Sequence, residues 1–236
     1  MRLSLIATIA ASSLASASFA GIVGPYATSD YQDWLDAGGL GGDASTSLFG
    51  PSLTTSEKIE EFDSLSIGSF ASVSNGTSAN WWSWTATGGS GVTVSAAVDG
   101  HSIYSNPQNS ALSFQFNGST STENGFTSGL RGIGGGFRFF NANGQSVNGR
   151  IILTLSTGES IIRNFNSDEA FAGFWLTDPY STITGLTLEP FSGSTSNYYI
   201  GAHTLYLGYA GVTIPAPGAL ALLGAAGLIG WSRRRD

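Results

Sequence analysis

The sequence of 236 residues contains no cysteine. This absence excludes disulfide bonds, a cysteine nucleophile and a zinc site built on thiolates. Histidine is almost as scarce, with only His101 and His203, and both lie beside turn or strand segments without a catalytic motif. No Gly-x-Ser-x-Gly elbow stands at a strand-to-helix turn, so a Ser-His-Asp triad has no supporting context. We therefore predict no metal site, no cofactor and no nucleophilic catalysis.

Basic residues are few as well, with nine Lys and Arg against 16 Asp and Glu. Four of the nine lie near the two ends of the chain. Between residues 21 and 214, five basic residues stand against fifteen acidic ones, which gives a net charge of −10. A surface of this sign repels a phosphate backbone, so nucleic acid is excluded as a partner.

Carboxylates remain as catalytic candidates, because glycoside hydrolysis needs a facing pair about 5–9 Å apart. The available residues fall mostly in turn-rich segments: Asp99, Glu123, Glu159, Asp168, Glu169 and Asp178. This placement favours a protein that is not an enzyme. A glycoside hydrolase remains a hypothesis of lower rank than the two that close this subsection. Asp30, Asp33 and Asp36 do not form the Asp-x-Asp-x-Asp-Gly loop typical of calcium sites.

What the sequence does contain is typical of an all-β protein. Glycine, serine, threonine and asparagine dominate, and aromatic and β-branched residues recur in short alternating runs. The clearest runs are 82–86, 92–96, 112–116, 137–140, 151–155, 161–165, 171–176, 183–188 and 204–209. Asn-Gly pairs at 75–76, 117–118, 124–125, 143–144 and 148–149 mark turns between them. We predict a β-sandwich of the jelly-roll or lectin-like kind over residues 63–213, with a hairpin across Thr157-Gly158.

The segment before the sandwich, residues 21–62, is predicted to be rich in loops. A short helix over Asp30–Asp36 is expected, with Asp30 as its N-cap. Gly38–Thr55 has the composition of a loop, and the charged run Lys58–Asp63 reads as a solvated edge.

Four glycines, at 132, 134, 135 and 136, give the chain a Gly-rich stretch. Phe137 occupies the position where a dinucleotide-binding fingerprint needs glycine, and Phe-Arg-Phe-Phe is a strand sequence, not a helix. Close approach of another group to the strand, or a bulge, explains these glycines better than phosphate binding.

Aromatic residues supply the binding candidates. In the run Trp81-Trp82-Ser83-Trp84, alternation on a strand would bury Trp82 and Trp84 and expose Trp81. An exposed indole can stack on a sugar ring, with Asn80 and Asn106 as neighbouring polar groups. Tyr198 and Tyr199 form a second pair, expected on a loop with one ring outward.

Both ends of the chain carry sorting features. Residues 1–20 combine Arg2, an apolar stretch and small residues at Ser18 and Ala20, which predicts a secretory signal peptide. Residues 214–236 combine Pro215-Ala216-Pro217, an uncharged stretch over Gly218–Trp231 and the basic stop of Arg233, Arg234 and Arg235. This pattern predicts a single short transmembrane helix whose basic end stays in the cytoplasm.

The tail resembles the PEP-CTERM sorting signal of bacterial exported proteins, with alanine at the central position of the motif. The stretches 132–140, 149–159, 171–175 and 183–188 are similar to strands of uncharacterised PEP-CTERM proteins, for which a lectin-like sandwich is suspected. The resemblance implies export, a signal peptidase and an exosortase-like sorting enzyme as partners, and contact with the membrane before processing.

Two main hypotheses follow for the function. The first is a cell-surface or extracellular-matrix protein with a structural or adhesive role associated with exopolysaccharide. The alternative is a dedicated carbohydrate-binding module with Trp81, Asn80, Tyr198 and Tyr199 as candidate contacts.

Overall fold

The computed structural model describes residues 26–41, 47–48, 53–97, 100–106, 109–123, 126–191 and 198–212. The predicted signal peptide and the predicted tail from 214 to 236 lie outside these residues. Within the described ranges, no helix is both long enough and apolar enough to cross a membrane.

The described part is all-β, as the sequence predicts, with one short helix, α1 (Tyr31–Gly38). The strands in chain order are β1 (Tyr26–Thr28), β2 (Leu53–Glu60), β3 (Gly68–Asn75), β4 (Trp84–Ala97), β5 (Gly100–Asn106), β6 (Leu112–Phe116), β7 (Ser121–Glu123), β8 (Phe126–Asn141), β9 (Gly149–Leu155), β10 (Ser160–Phe165), β11 (Ala172–Trp175), β12 (Ile183–Pro190) and β13 (Tyr198–Val212).

The strands form one antiparallel sheet in the order β1-β11-β8-β13-β5-β4-β6-β12-β9-β10. The long strand β4 joins its two halves: residues 91–97 pair with β5, whereas residues 84–87 pair with β6. β2 extends the sheet beside β13, and β3 extends it beside β4. The sheet therefore curls over at β4 and encloses an apolar interior, in a sandwich-like arrangement.

Local sequence signals explain several elements. Asp30 caps α1, because its Oδ1 accepts hydrogen bonds from Gln32 N at 2.7 Å and from Asp33 N at 3.1 Å. Gly39 ends the helix in the left-handed region at φ 72°. The predicted hairpin is confirmed as β9 and β10, with Gly158 at φ 86° in its turn.

The main core lies between the two halves of the curled sheet. Alternate residues of the strands supply it, including Val92 and Val94 of β4 and Phe137 and Phe139 of β8. Trp84 is buried here, as predicted, whereas Trp82, predicted to be buried on the same face, is half-buried in the turn before β4. We use "outer face" for the side of β4, β5, β13 and β8 that points away from this main core.

One correction concerns the charged run Lys58–Asp63, which the sequence suggests is a solvated edge. Most of this run belongs to β2 or the turn after it, and Glu60 is only 4% exposed. Phe62 is fully buried and packs edge-on against Trp84, with ring centres 5.5 Å apart. Alternation in β2 places Glu60 inward, because the strand is paired along its length with β13.

A second, smaller apolar cluster covers part of the outer face. Trp34 of α1 stacks on Trp175 of β11 with ring centres 5.0 Å apart, and both rings are fully buried. A Cβ at Gly132 would lie 2.6 Å from the Trp175 ring, so glycine leaves the space that this indole fills. The interpretation of the Gly-rich stretch as a site of close approach is confirmed at this position.

Two ionisable side chains, Glu57 and Arg131, are shielded from solvent by burial. Burial raises the pKa of Glu57, whose Oε1 accepts a hydrogen bond from Tyr31 Oη at 3.0 Å. Arg131 is fully buried and donates to the carbonyl oxygens of Leu176 and Asp178. Burial lowers the pKa of Arg131 to about 10, which leaves the guanidinium charged at neutral pH.

Candidate functional site

The first sequence candidate, Trp81, does not lie on a strand. Trp81 and Trp82 form the turn before β4, which begins at Trp84. Trp81 is half-buried, packs against the main core and lies 5.4 Å from the ring centre of Tyr209. The expectation of an exposed Trp81 is therefore wrong, because alternation cannot be extended into a turn.

Asn80 has a structural task in the same turn. Its Oδ1 accepts hydrogen bonds from Thr77 N and Thr77 Oγ1, both at 3.0 Å. These bonds use the side chain to fix the turn between β3 and β4. Asn106, expected as another neighbour of Trp81, lies instead at the end of β5.

Tyr198 and Tyr199 lie at the start of β13, not on a loop. Strand alternation separates them: Tyr198 is 6% exposed, whereas Tyr199 is 40% exposed. The prediction that one ring points outward holds. Tyr199 is ten residues from Tyr209, or about 33 Å along an ideal strand, so Tyr199 and Trp81 cannot share one small ligand.

Tyr199 lines an open groove of about 680 Å³ on the outer face. The remaining lining is Thr93, Ser95, Tyr104, Ser105, Asn106, Phe140, Asn141, Ala142 and Gly144. This volume lies within the range of about 300–1,000 Å³ that is usual for ligand sites. We call this depression the tyrosine groove.

Strand register brings its aromatic rings together from distant parts of the chain. Tyr199 of β13 stands opposite Phe140 of β8, and Tyr104 of β5 stands opposite Gly201 of β13. A Cβ at Gly201 would lie 2.5 Å from the Tyr104 ring. The missing side chain at Gly201 therefore lets the Tyr104 ring lie over the neighbouring strand.

Polar groups surround these rings. Thr93 stands opposite Tyr104, and its Oγ1 is 3.1 Å from Ser69 Oγ of β3. Asn106 is exposed at the end of β5. Asn141 holds the turn after β8, because its Oδ1 accepts hydrogen bonds from the backbone N–H groups of Asn143 and Gln145.

A smaller depression of about 270 Å³ adjoins the tyrosine groove, and Phe140 lines both. Its polar lining includes Arg138 of β8, His203 of β13 and Glu169 of the loop before β11. His203 lies at a bulge inside β13, where its Nδ1 is 3.1 Å from Ser102 Oγ. We call this depression the arginine pocket.

The carboxylate of the arginine pocket is already engaged. Glu169 Oε2 is 3.1 Å from Arg163 Nη2, and Glu169 Oε1 accepts a hydrogen bond from Asn166 Nδ2 at 3.0 Å. No second carboxylate lines either depression, although retaining or inverting hydrolysis uses two. Across the described ranges, no three His, Asp or Glu residues are grouped as a metal site would require.

Sequence reasoning found Tyr199 but missed Tyr104, Phe140 and Arg138 as parts of one surface. A local signal did exist. The core residues Ile103, Phe137 and Phe139 indicate that Tyr104, Arg138 and Phe140 face the other way. The pairing of β5, β13 and β8 is what places these outward residues side by side, and it joins segments far apart in the chain.

Comparison with known proteins finds no matching family model and no matching curated protein. Among solved structures, the chain is similar to a family 29 carbohydrate-binding module from Piromyces equi, with a TM-score of 0.34 and 12% identity. This match covers 66% of the chain and 91% of that module. A variant of a second family 29 module matches with a TM-score of 0.34 and 10% identity, covering 64% of the chain and 91% of that module.

Proposed function

We propose that the chain is an exported, non-catalytic protein that binds polysaccharide through the tyrosine groove and so adheres to an extracellular matrix. The observation that carries this proposal is the open groove with Tyr199, Tyr104 and Phe140 in its lining. In this proposal the curled sheet is a jelly-roll or lectin-like sandwich, and its outer face is the binding surface.

The chemistry of the groove suits a sugar chain. One face of a pyranose ring presents C–H groups, which pack on the flat apolar surface of an aromatic side chain. The hydroxyl groups at the ring edge need hydrogen-bonding partners, which Asn106, Thr93 and Ser95 can supply around the aromatic rings. Tyrosine loses little conformational entropy on binding, since only two χ angles become fixed.

The shape of the groove favours a polymer over a small metabolite. Drug-sized ligands are usually enclosed by a cleft that buries most of their surface. The tyrosine groove is an open stretch of sheet, bounded by Gly144 and Ala142 at one end. An open floor of this kind can hold one segment of a long chain while the rest continues past it.

Export is the second part of the proposal, and it depends on the two ends of the sequence. The signal-peptide pattern over residues 1–20 and the PEP-CTERM-like pattern over 214–236 support passage through a signal peptidase and an exosortase-like enzyme. Binding to a matrix polysaccharide would then hold the processed protein outside the cell.

Binding to immobilised polysaccharides tests the proposal, with Tyr199→Ala as the main variant. We expect this substitution to weaken binding by about tenfold or more, which corresponds to about 1.4 kcal/mol. The melting temperature should fall less than for a fully buried tyrosine, because Tyr199 is 40% exposed. Affinity electrophoresis in gels that contain a panel of neutral and acidic polysaccharides measures the effect.

Tyr180→Ala is the matched control, since Tyr180 is 66% exposed and lies outside the lining of the groove. This variant should bind as the unmodified protein does. Failure of the unmodified protein to bind any polysaccharide in the panel, or equal losses for the two variants, would contradict the proposed site.

A further inference from the structure

We propose that the polysaccharide is acidic, and that Arg138 in the arginine pocket binds a carboxylate group of a uronic acid unit. This inference rests on the proposed function and assigns it a class of ligand. It depends on three features: the position of Arg138 beside the tyrosine groove, the ion pair that already engages Glu169, and the small size of the arginine pocket.

The first observation is the place of Arg138 on the outer face. In the paired strands, Thr93, Tyr104, Gly201 and Arg138 follow one another across β4, β5, β13 and β8. Because Gly201 has no side chain, nothing on β13 stands between the Tyr104 ring and the arginine in this row. A sugar on Tyr104 or Phe140 would therefore have the guanidinium at its edge.

The second observation is that Arg138 carries a charge that its surroundings do not neutralise. Among the described residues, no carboxylate forms an ion pair with Arg138, and its Nε atom is buried without a hydrogen-bond partner. The one carboxylate in the pocket, Glu169, is paired with Arg163. A half-buried guanidinium in this state gains from a bound anion, because it can donate two parallel hydrogen bonds to a carboxylate.

The third observation is that the pocket is small and carries polar groups beside an apolar wall that includes Phe137, Phe139 and Phe165. Its volume of about 270 Å³ is less than half that of the tyrosine groove. Ser146, Ser167 and His203 lie in its lining, and the hydrogen bond between His203 and Ser102 fixes the imidazole ring. These groups can accept or donate hydrogen bonds beside a carboxylate that Arg138 holds.

Because the protein is acidic overall, binding of an acidic polysaccharide depends on the local positive charge of Arg138. At a net charge of −10 between residues 21 and 214, the processed molecule as a whole repels a polyanion. At physiological ionic strength this repulsion is screened beyond about 8 Å, whereas a contact in a partly buried pocket is screened less. Selective binding of an acidic chain therefore needs a specific cation at the site, and Arg138 is the one that lines it.

The test compares uronic acid polymers with the same polymers after reduction of their carboxyl groups to alcohols. Alginate, polygalacturonate and hyaluronan serve as probes, each in both forms, at an ionic strength of about 0.15 M. We expect the acidic form of at least one polymer to bind about tenfold or more tightly than its reduced form. Arg138→Gln should abolish this preference, and Arg138→Lys should keep part of it.

Two further variants separate the possible outcomes. Tyr199→Ala should weaken binding of the acidic and reduced forms alike, because stacking does not depend on the carboxylate. Arg150→Gln removes an equal charge on β9, outside both depressions, and should leave the preference intact.

Equal binding of the acidic and reduced forms, unaffected by Arg138→Gln, would overturn the acidic ligand and leave polysaccharide binding standing. A loss of preference in Arg150→Gln as large as in Arg138→Gln would also overturn it, since the effect would then come from overall charge. Absence of binding to every probe and to neutral polysaccharides would overturn both proposals.

Discussion

At the scale of single residues, Glu60 is a carboxylate that the fold places in its interior. Its Oε1 accepts a hydrogen bond from Phe62 N at 3.0 Å, and its Oε2 accepts from Asn75 Nδ2 at 2.6 Å and from Trp84 Nε1 at 3.4 Å. These bonds tie the end of β2 to the end of β3 and the start of β4. The buried donors depend on this one side chain, so Glu60 acts as a junction between three strands.

Substitution Glu60→Ala should destabilise the protein by about 3 kcal/mol, because it leaves buried donors unpaired and removes hydrogen bonds to a charged acceptor. Glu60→Gln should cost less, since one amide oxygen can still accept. Urea unfolding followed by tryptophan fluorescence measures both changes. The neighbouring exposed residue provides the control: Glu61→Ala should change stability by less than about 0.5 kcal/mol. Equal effects at positions 60 and 61 would refute the role of Glu60.

The sequence could not show this role for Glu60. A run of Lys, Glu and Asp is most often solvated, and composition alone favours that interpretation. What decides the matter is the pairing of β2 with β13, which joins Glu60 to Leu205 across 145 residues of chain. Trp81 illustrates the opposite case, because strand alternation does not extend to the three residues before β4, where the chain forms a turn.

At the scale of elements, strand β8 shows why its glycines are needed. Gly132 and Gly134 face the second apolar cluster, where the rings of Trp175 and Phe171 lie directly on the strand. Trp175 also donates from Nε1 to the carbonyl oxygen of Trp34 at 2.9 Å, which binds α1 to the sheet. The glycines thus allow the helix and its indole pair to cover one half of the outer face.

We expect Gly132→Ala to destabilise the protein by about 1–3 kcal/mol, because the new methyl group meets a ring that has little room to move. The loss should appear as a lower urea midpoint and as altered near-ultraviolet circular dichroism of the Trp34–Trp175 pair.

Gly136→Ala is the matched control on the same strand. A Cβ there would meet only Ala170 O at 3.8 Å and His203 Cβ at 4.0 Å, which are ordinary contacts. This variant should be neutral or slightly stabilising, since alanine restricts the unfolded chain. If both variants lose the same stability, close approach of Trp175 is not the reason for glycine at position 132.

Elements were predicted from the sequence where their signals are local. The cap of α1 lies within Asp30–Asp33, and the β9–β10 hairpin has its turn residues and alternation within 17 residues. Strand β2 was missed, because its neighbouring Gly/Ser/Thr residues and its charges resemble a loop. Its strand character comes from pairing with β13, and no local pattern records that pairing.

At the scale of the whole molecule, the covered and open halves of the outer face have different compositions. Around α1 the face carries glycines covered by tryptophan, phenylalanine and tyrosine rings, which pack against each other. Towards Tyr199 and Arg138 it carries tyrosine, arginine, serine and asparagine, and it remains open. Among the described residues, no helix covers this second half as α1 covers the first, so its aromatic and polar side chains remain accessible to a ligand. We infer that the open half is the surface that binds the proposed polysaccharide.

Whether the protein reaches that partner depends on its two ends, and this leads to a prediction about the mature chain. We expect the protein recovered from the surface of its native host to begin near Gly21 and to end near Pro215–Pro217, because both ends match processing signals. Intact-mass spectrometry measures both cuts at once. Deletion of residues 214–236 should release the protein into the medium.

A mass that retains Arg233–Arg235 would show that the tail is an uncleaved anchor and would refute processing by an exosortase-like enzyme. The tyrosine groove would be unaffected by that result, since every residue in its lining lies between Thr93 and Tyr199. The proposal that the tail is cleaved and the proposal that the tyrosine groove binds polysaccharide can therefore be tested separately. Loss of surface retention in Tyr199→Ala, with both cleavage positions unchanged, would show that polysaccharide binding holds the mature protein in place after the tail has directed it to the surface.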